Sequence, residues 1–188
     1  MATNINVINF PDLIKLSDFG GDYVSYENAL LALYEADLWK GKITFNGLNV
    51  IPRVHKRFEL NGKTLDWTFV HFTSEGPVDE SRNLDLRRCE RIGYVRPIIE
   101  NAHLDCVKVW ENERLDKNNK PILSVVLWCE NVSSKIVLTK VKSKQRNYYV
   151  ITTFYLINSI NKIKKHKKEY EEYVSKNGEY IVILPKKQ

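Results

Sequence analysis

The chain has 188 residues, 43% of them hydrophobic, with ten tyrosines, seven phenylalanines and four tryptophans; that is apolar material for one core burying about 70% of the unfolded surface, and it excludes an intrinsically disordered chain. No window approaches the roughly 20 apolar residues of a membrane span. The net charge of +6 is unevenly placed, because the segment from Asn131 to Lys168 holds ten basic residues and no Asp or Glu, which leaves the remainder net acidic.

In chain order, MATNINVINF lacks the basic-then-apolar pattern of an export signal, so a cytoplasmic protein with no membrane association is expected. The first 24 residues are weakly patterned and are expected as an arm. Ser25 offers an N-cap to a helix carrying Ala29, Leu30, Leu33 and Tyr34 on one stripe and ending before Gly41. Two runs flank Asn61-Gly62, the dipeptide that best accepts a type I′ turn, and predict a hairpin. A two-residue loop places Phe58 opposite Leu65, Lys56 opposite Trp67 and Val54 opposite Phe69, so that Leu65, Trp67, Phe69 and His71 share one face of the second strand.

Asn83 or Asp85 can cap a helix that turns Leu86, Cys89 and Ile92 inward and carries Arg87, Arg88 and Arg91 elsewhere, interrupted by Gly93 and Pro97. Strands follow at Cys106–Glu111, Ile122–Cys129, Lys135–Val141 and Tyr148–Leu156, an antiparallel meander. A long amphipathic helix comes next, with Ile157, Ile160, Ile163, Tyr170 and Val174 as its apolar stripe, and Tyr180–Leu184 as a short final strand. The expected fold is α+β: N-terminal helices and a hairpin packed on a four-stranded antiparallel sheet, with a long C-terminal amphipathic helix. No repeat or linker divides it, so residues 1–188 read as one domain.

The acid-free basic segment suits a polyanion, nucleic acid before an anionic membrane surface, the alternative being a lysine face that only keeps the chain soluble. Between Arg82 and Arg96 stand five of the nine arginines and not one lysine. A guanidinium offers a planar pair of donors to phosphate and stays charged, whereas lysine is a mobile point charge. Ion pairing with Asp85, Glu90 and Glu100 is the competing use of these arginines. Cys89, Cys106 and Cys129 show neither C-x-x-C spacing nor a histidine cluster and read as buried or half-buried thiols; no metal and no other cofactor is expected. Phosphate-binding Gly-rich loops, H-E-x-x-H and clustered acidic residues are missing, which leaves nucleoside-triphosphatase, dinucleotide, zinc-protease and two-metal nuclease readings without support.

The order Trp67, Phe69, His71, then DLRRCERIGYVRPIIE, then Val109-Trp110, then YYVITTFY resembles the phage-associated branch of the barnase–EndoU–colicin–RelE-like nucleases, over about 51–174. The resemblance implies helical elements on a four-stranded antiparallel sheet and metal-independent RNA cleavage, often by toxins. Such cleavage needs a base, an acid and cations around phosphorus. His71, with an ordinary pKa of about 6.5, is the candidate proton-transfer group and Arg88 and Arg91 hold phosphate together with Arg87. Thr152 or Thr153 donates to a non-bridging oxygen; adjacent strand residues face opposite ways, so at most one of them is expected in the site. Arg82, Arg87, Tyr94, Arg96, Lys144, Arg146 and Tyr155 are candidate RNA contacts, Tyr94 and Tyr155 by stacking.

Each assignment has a structural alternative: His71 as a hydrogen-bonding strand residue with His55 as rival, Trp67 and Trp110 as core, the threonines as β-formers. The expected partner is RNA, with a cognate inhibitor or antitoxin protein as a second. A non-catalytic nucleic-acid binder, or an inhibitor of a host nucleic-acid enzyme, are the alternative functions.

Overall fold

The computed structural model describes residues 7–53, 57–60, 63–76, 82–115, 118–143 and 145–183. Asp22, not Ser25, starts the first helix, α1 (Tyr23–Tyr34): its carboxylate accepts the Val24 N–H at 3.1 Å and the Ser25 hydroxyl at 2.5 Å. Tyr26, Leu30 and Tyr34 are buried. A π-turn, Glu35–Trp39, prolongs the helix, which ends before Gly41. A Cβ there would lie 2.1 Å from the Asp37 carbonyl oxygen and 2.7 Å from an Arg96 nitrogen, so only glycine fits. The N-terminal segment expected as an arm is tied down instead. Ile8 is buried, the Phe10 ring lies 4.6 Å from that of Tyr94, and the Ile14 N–H donates to the Glu90 carbonyl.

Strands β1 (Thr44–Phe45) and β2 (Leu48–Pro52) come next, then β3 (Arg57–Leu60) and β4 (Lys63–Asp66). β3 and β4 pair with Phe58 opposite Leu65, as the hairpin reading expects; Asn61-Gly62, Val54, His55 and Lys56 lie outside the described residues. The second strand, however, stops at Asp66. Trp67–Thr73 is a helix, α2, so Trp67, Phe69 and His71 do not share a strand face. The reason is the Asp66 carboxylate, which accepts the Phe69 N–H at 2.9 Å as an N-cap and is itself fixed by the Tyr34 hydroxyl at 2.7 Å and Trp39 Nε1 at 3.1 Å. A cap held by two partners outweighs the β-preference of an aromatic run.

Two-residue strands β5 (Ser74–Glu75) and β6 (Asn83–Leu84) lead to α3 (Leu86–Glu90), capped by Asp85, and, past a 3₁₀ turn at Ile92–Tyr94, to α4 (Val95–Glu100). Cys89 and Ile92 turn inward as expected, while Leu86 is 40% exposed. The meander is present as β7 (Val107–Leu115), β8 (Pro121–Cys129), β9 (Ser134–Lys142) and β10 (Asn147–Leu156). It belongs to a six-stranded sheet rather than a four-stranded antiparallel one, in the order β1-β2-β10-β9-β8-β7, because β2 adds to β10 in parallel, Tyr149 opposite Val50. That pairing covers the first half of β10, which would otherwise be an open edge.

One face of the sheet, with Val125, Leu127, Ile136, Leu138, Ile151 and Phe154, packs with Leu30, Phe69, Phe72, Cys89 and Ile98 in the main core. The other face carries Trp110, Val126 and Trp128 with Ile163, Tyr170 and Tyr173 of the last helix, α5 (Ile160–Asn177). Ile157 is buried just before α5, but Ile160 is 70% exposed and the buried position of the helix is His166, at 7%. Residues 180–183 form no strand; the Asn46 amide donates to the Tyr180 hydroxyl and accepts the Ile183 N–H, both at 2.9 Å. Cys89 and Cys129 are buried, and burial pushes their thiols up to about 12 and about 11. Among the described residues no helix is long and apolar enough to cross a membrane.

Candidate functional site

The site begins with an irregularity in β10. Val150 and Ile151 pair with Thr139 and Leu138, but the next pair is Thr153 with Val137, so Thr152 is an extra residue in the ladder. Such a bulge breaks the alternation of side chains. As a result Thr152 and Thr153 both line one cleft, where regular strand geometry admits only one of them. Their hydroxyls are not equivalent. Thr152 Oγ1 donates its proton to the Val137 carbonyl at 3.0 Å, whereas no hydrogen bond joins the Thr153 side chain to another described residue.

The cleft has a volume of about 470 Å³ and lies on the α5 side of the sheet, with Val126, Lys135, Val137 and Tyr155 among its lining and Arg53, Trp67 and His71 at its flank. α2 packs against β10, which brings His71 to the bulge. One helical turn apart, Trp67 and His71 stack with ring centroids 3.7 Å apart, and the Arg53 guanidinium sits 5.4 Å from the Trp67 ring. The helix thus fixes the imidazole through Trp67.

Lys135 is the feature that the sequence reading missed. Only 6% exposed, its ammonium lies 5.6 Å from the Trp110 ring and 5.5 Å from the Tyr155 ring, and 3.3 and 3.5 Å from Nδ1 and Nε2 of His166. His166 Nδ1 is in turn 2.9 Å from Glu169 Oε2. An ionised Glu169 can only accept, so Nδ1 carries the imidazole proton and Nε2 is left to accept from Lys135. Burial pulls Lys135 down to about 8, with Glu169 opposing and Lys165 reinforcing that change. Burial also lowers His166, against the hydrogen bond that it donates to Glu169. Tyr155 is pushed up to about 12 by burial, with Glu169 adding to it. The cleft therefore joins an imidazole, an ammonium that gives up its proton near neutrality and a phenol that keeps its own.

The arginines divide. Arg88 is only 16% exposed; its Nη1 donates to the Ser74 carbonyl at 2.8 Å and reaches the His71 carbonyl at 3.5 Å. Its Nε lies 3.3 Å from Asp85 Oδ2, near enough for an ion pair but misaligned for a hydrogen bond. Arg82 donates to the same Ser74 carbonyl at 2.6 Å and to the Ser74 hydroxyl at 2.9 Å. The two guanidiniums thus share the carbonyl of Ser74, the residue just past the end of α2, the helix that presents His71. Arg96 pairs with Glu100 at 3.0 Å and Asp37 at 3.7 Å. Arg87, 61% exposed and 3.5 Å from Asp85, lines a second cleft of about 420 Å³ with Arg91, Tyr94 and Leu156, where Arg91 pairs with Glu90 at 3.3 Å.

Tyr155 and Leu156 are neighbours on β10, but Tyr155 packs with the α5-side cluster and Leu156 with the main core, and the two clefts share no lining residue. Arg146 is exposed at the opposite end of β10, nine residues or about 30 Å from Tyr155 at roughly 3.3 Å per residue. Lys144 lies outside the described residues. Among the described residues no group of three or more His, Cys, Asp or Glu is placed to hold a metal.

The chain matches no protein-family model, no curated protein and no solved structure. Its chemistry is read from the cleft. Lys135 had a visible signal: in the meander register it stands between Trp128 and Tyr155 on the flanking strands, a lysine among cross-strand aromatics. Arg53 had none.

Proposed function

We propose that the protein is a metal-independent endoribonuclease, a toxin or phage-related effector acting on RNA in the cytoplasm. The observation that carries this reading is the bulge at Thr152-Thr153, which sets both hydroxyls in one cleft with His71, Lys135, Tyr155 and Arg53. The lining offers a proton-transfer group, cations and hydroxyls without a carboxylate, the donor set that attack of a ribose 2′-hydroxyl on the neighbouring phosphate requires. His71 takes the 2′ proton, Thr153 donates to a non-bridging oxygen, and Tyr155 offers a face to a base. Arg82 and Arg88 act by holding α2. Arg87, Arg91 and Tyr94 in the second cleft, with the exposed lysines of α5 and Arg146, receive the flanking strand. A cognate inhibitor protein would act by covering the cleft.

The test is incubation of the purified protein with total RNA in EDTA, alongside His71→Ala and Thr153→Val. Cleavage by the wild type, lost in His71→Ala and reduced in Thr153→Val, is expected. Intact RNA in every sample, with salt-sensitive binding in a gel shift, replaces this reading with a non-catalytic RNA binder.

A further inference from the structure

Resting on the ribonuclease reading, we propose that Lys135 is the proton donor to the departing 5′-oxygen and that His166, Glu169 and Lys165 on α5 set its proton affinity from behind. The geometry leaves few other roles for this side chain. A buried ammonium facing a cleft between two aromatic rings has one hydrogen-bonding partner, the His166 ring, whose two nitrogens lie 3.3 and 3.5 Å away and whose Nδ1 is committed to Glu169. Its other contacts among the described residues are the Trp110 and Tyr155 rings, neither of which takes the proton. The cleft on which it opens also holds His71. An imidazole and an ammonium set in one cleft divide the two proton transfers that cleavage demands.

In the step, the 2′-oxygen forms a bond to phosphorus as its proton passes to His71. The bond from phosphorus to the 5′-oxygen breaks, and the Lys135 proton goes to that oxygen. The products are a 2′,3′-cyclic phosphate and a free 5′-hydroxyl, with Lys135 left as a neutral amine that regains a proton from solvent. An ordinary lysine holds its proton too tightly to give it up readily; one drawn down to about 8 remains charged at pH 7 and is a far better donor.

The ionisable groups facing Lys135 are His166, Lys165 and Glu169 from α5, Tyr155 from β10, and His71 and Arg53 across the cleft; Arg88 lies near Tyr155 and opposes its rise. Glu169 raises the proton affinity of Lys135 and Lys165 lowers it. Neither side chain lines the cleft, and both reach solvent, Lys165 being 72% exposed and Glu169 33%. They are positioning residues with opposite signs.

Two measurements decide. In the first, Lys135→Gln is assayed on an RNA dinucleotide and on the same dinucleotide with sulfur in place of the bridging 5′-oxygen. A thiolate leaves without a proton, so the variant is expected to lose about 100-fold or more on the oxygen substrate and to approach the wild-type rate on the sulfur one, which also shows that it is folded. Equal losses on both substrates overturn the proposal. In the second, the alkaline limb of the pH–rate profile is expected to shift down in Glu169→Gln and up in Lys165→Gln, each by roughly 0.3–1 pH unit given solvent screening. A limb unmoved in both variants overturns it equally. Failure of the wild type to cleave either substrate refutes the ribonuclease reading instead.

Discussion

Replacing Lys135 with methionine is expected to stabilise the protein at pH 7. Drawing a lysine from 10.5 to about 8 penalises the charged form by roughly 3 kcal/mol at 1.36 kcal/mol per pKa unit. Against that stand the hydrogen bond to His166, about 1 kcal/mol net, and the contacts with the Trp110 and Tyr155 rings, about 1 kcal/mol together. Methionine keeps an unbranched stem of similar length in the same space. The variant should therefore gain about 1 kcal/mol at pH 7. The sign with pH follows from proton uptake. Above the folded value, the unfolded chain binds more protons than the folded one, so the wild type gains stability as pH rises from 8 towards 10.5, and the variant does not. Urea midpoints for the pair at pH 7, 8.5 and 9.5 read the difference directly, because every other titrating group cancels apart from His166, which titrates below that range. The advantage of Lys135→Met should shrink across the series and reverse. A difference that stays constant with pH would refute a buried lysine with a lowered pKa.

The two arginine groups should separate in both stability and binding. Arg88→Ala removes donors from buried carbonyls at the end of α2 and is expected to cost about 2–3 kcal/mol in thermal or urea unfolding, whereas the exposed Arg87→Ala should lie within about 0.5 kcal/mol of wild type and lower RNA affinity in a salt-dependent gel shift. Thr152→Val loses its bond to the Val137 carbonyl and about 1 kcal/mol of stability; Thr153→Val should leave stability unchanged and lower kcat about 10- to 100-fold. Gly41→Ala, which drives a methyl group into the Asp37 carbonyl and the Arg96 guanidinium, is expected to lose about 2 kcal/mol or more by the same unfolding assay.

The meander could be read from sequence because strands β7 to β10 are adjacent in the chain and each pairs with the next, so alternation and turn residues carry the information. Elements whose form depends on distant partners could not. The run WTFVHFT has the composition of a strand, and what makes it a helix is Asp66 held by Tyr34 and Trp39, 32 and 27 residues away. The parallel pairing of β2 with β10 joins residues about a hundred positions apart. Nor does a bulge announce itself, since Thr152 and Thr153 suit a strand whichever way they face. For that reason sequence reasoning admitted one threonine to the site and the fold admits both.

The arginine-rich stretch shows how residue type and role come apart. Planar donor geometry suits a phosphate, but it suits a row of helix-end carbonyls equally well, and Arg82 and Arg88 are engaged there. The acidic residues spaced beside the arginines were the sign of this, since Asp85, Glu90 and Glu100 each pair with one or more of them. A consequence follows for mutagenesis. Loss of cleavage in Arg88→Ala looks like loss of a phosphate contact, yet Arg88 holds the Ser74 carbonyl at 2.8 Å, just past the helix that presents the imidazole, and reaches the His71 carbonyl at 3.5 Å. A phosphate contact predicts an effect that weakens as salt competes and that falls chiefly on substrate affinity. A helix-end contact predicts a lower kcat with little change in salt dependence, together with a loss of stability that Arg87→Ala does not share. The buried position of Arg88 and its bonds to main-chain oxygens favour the second outcome.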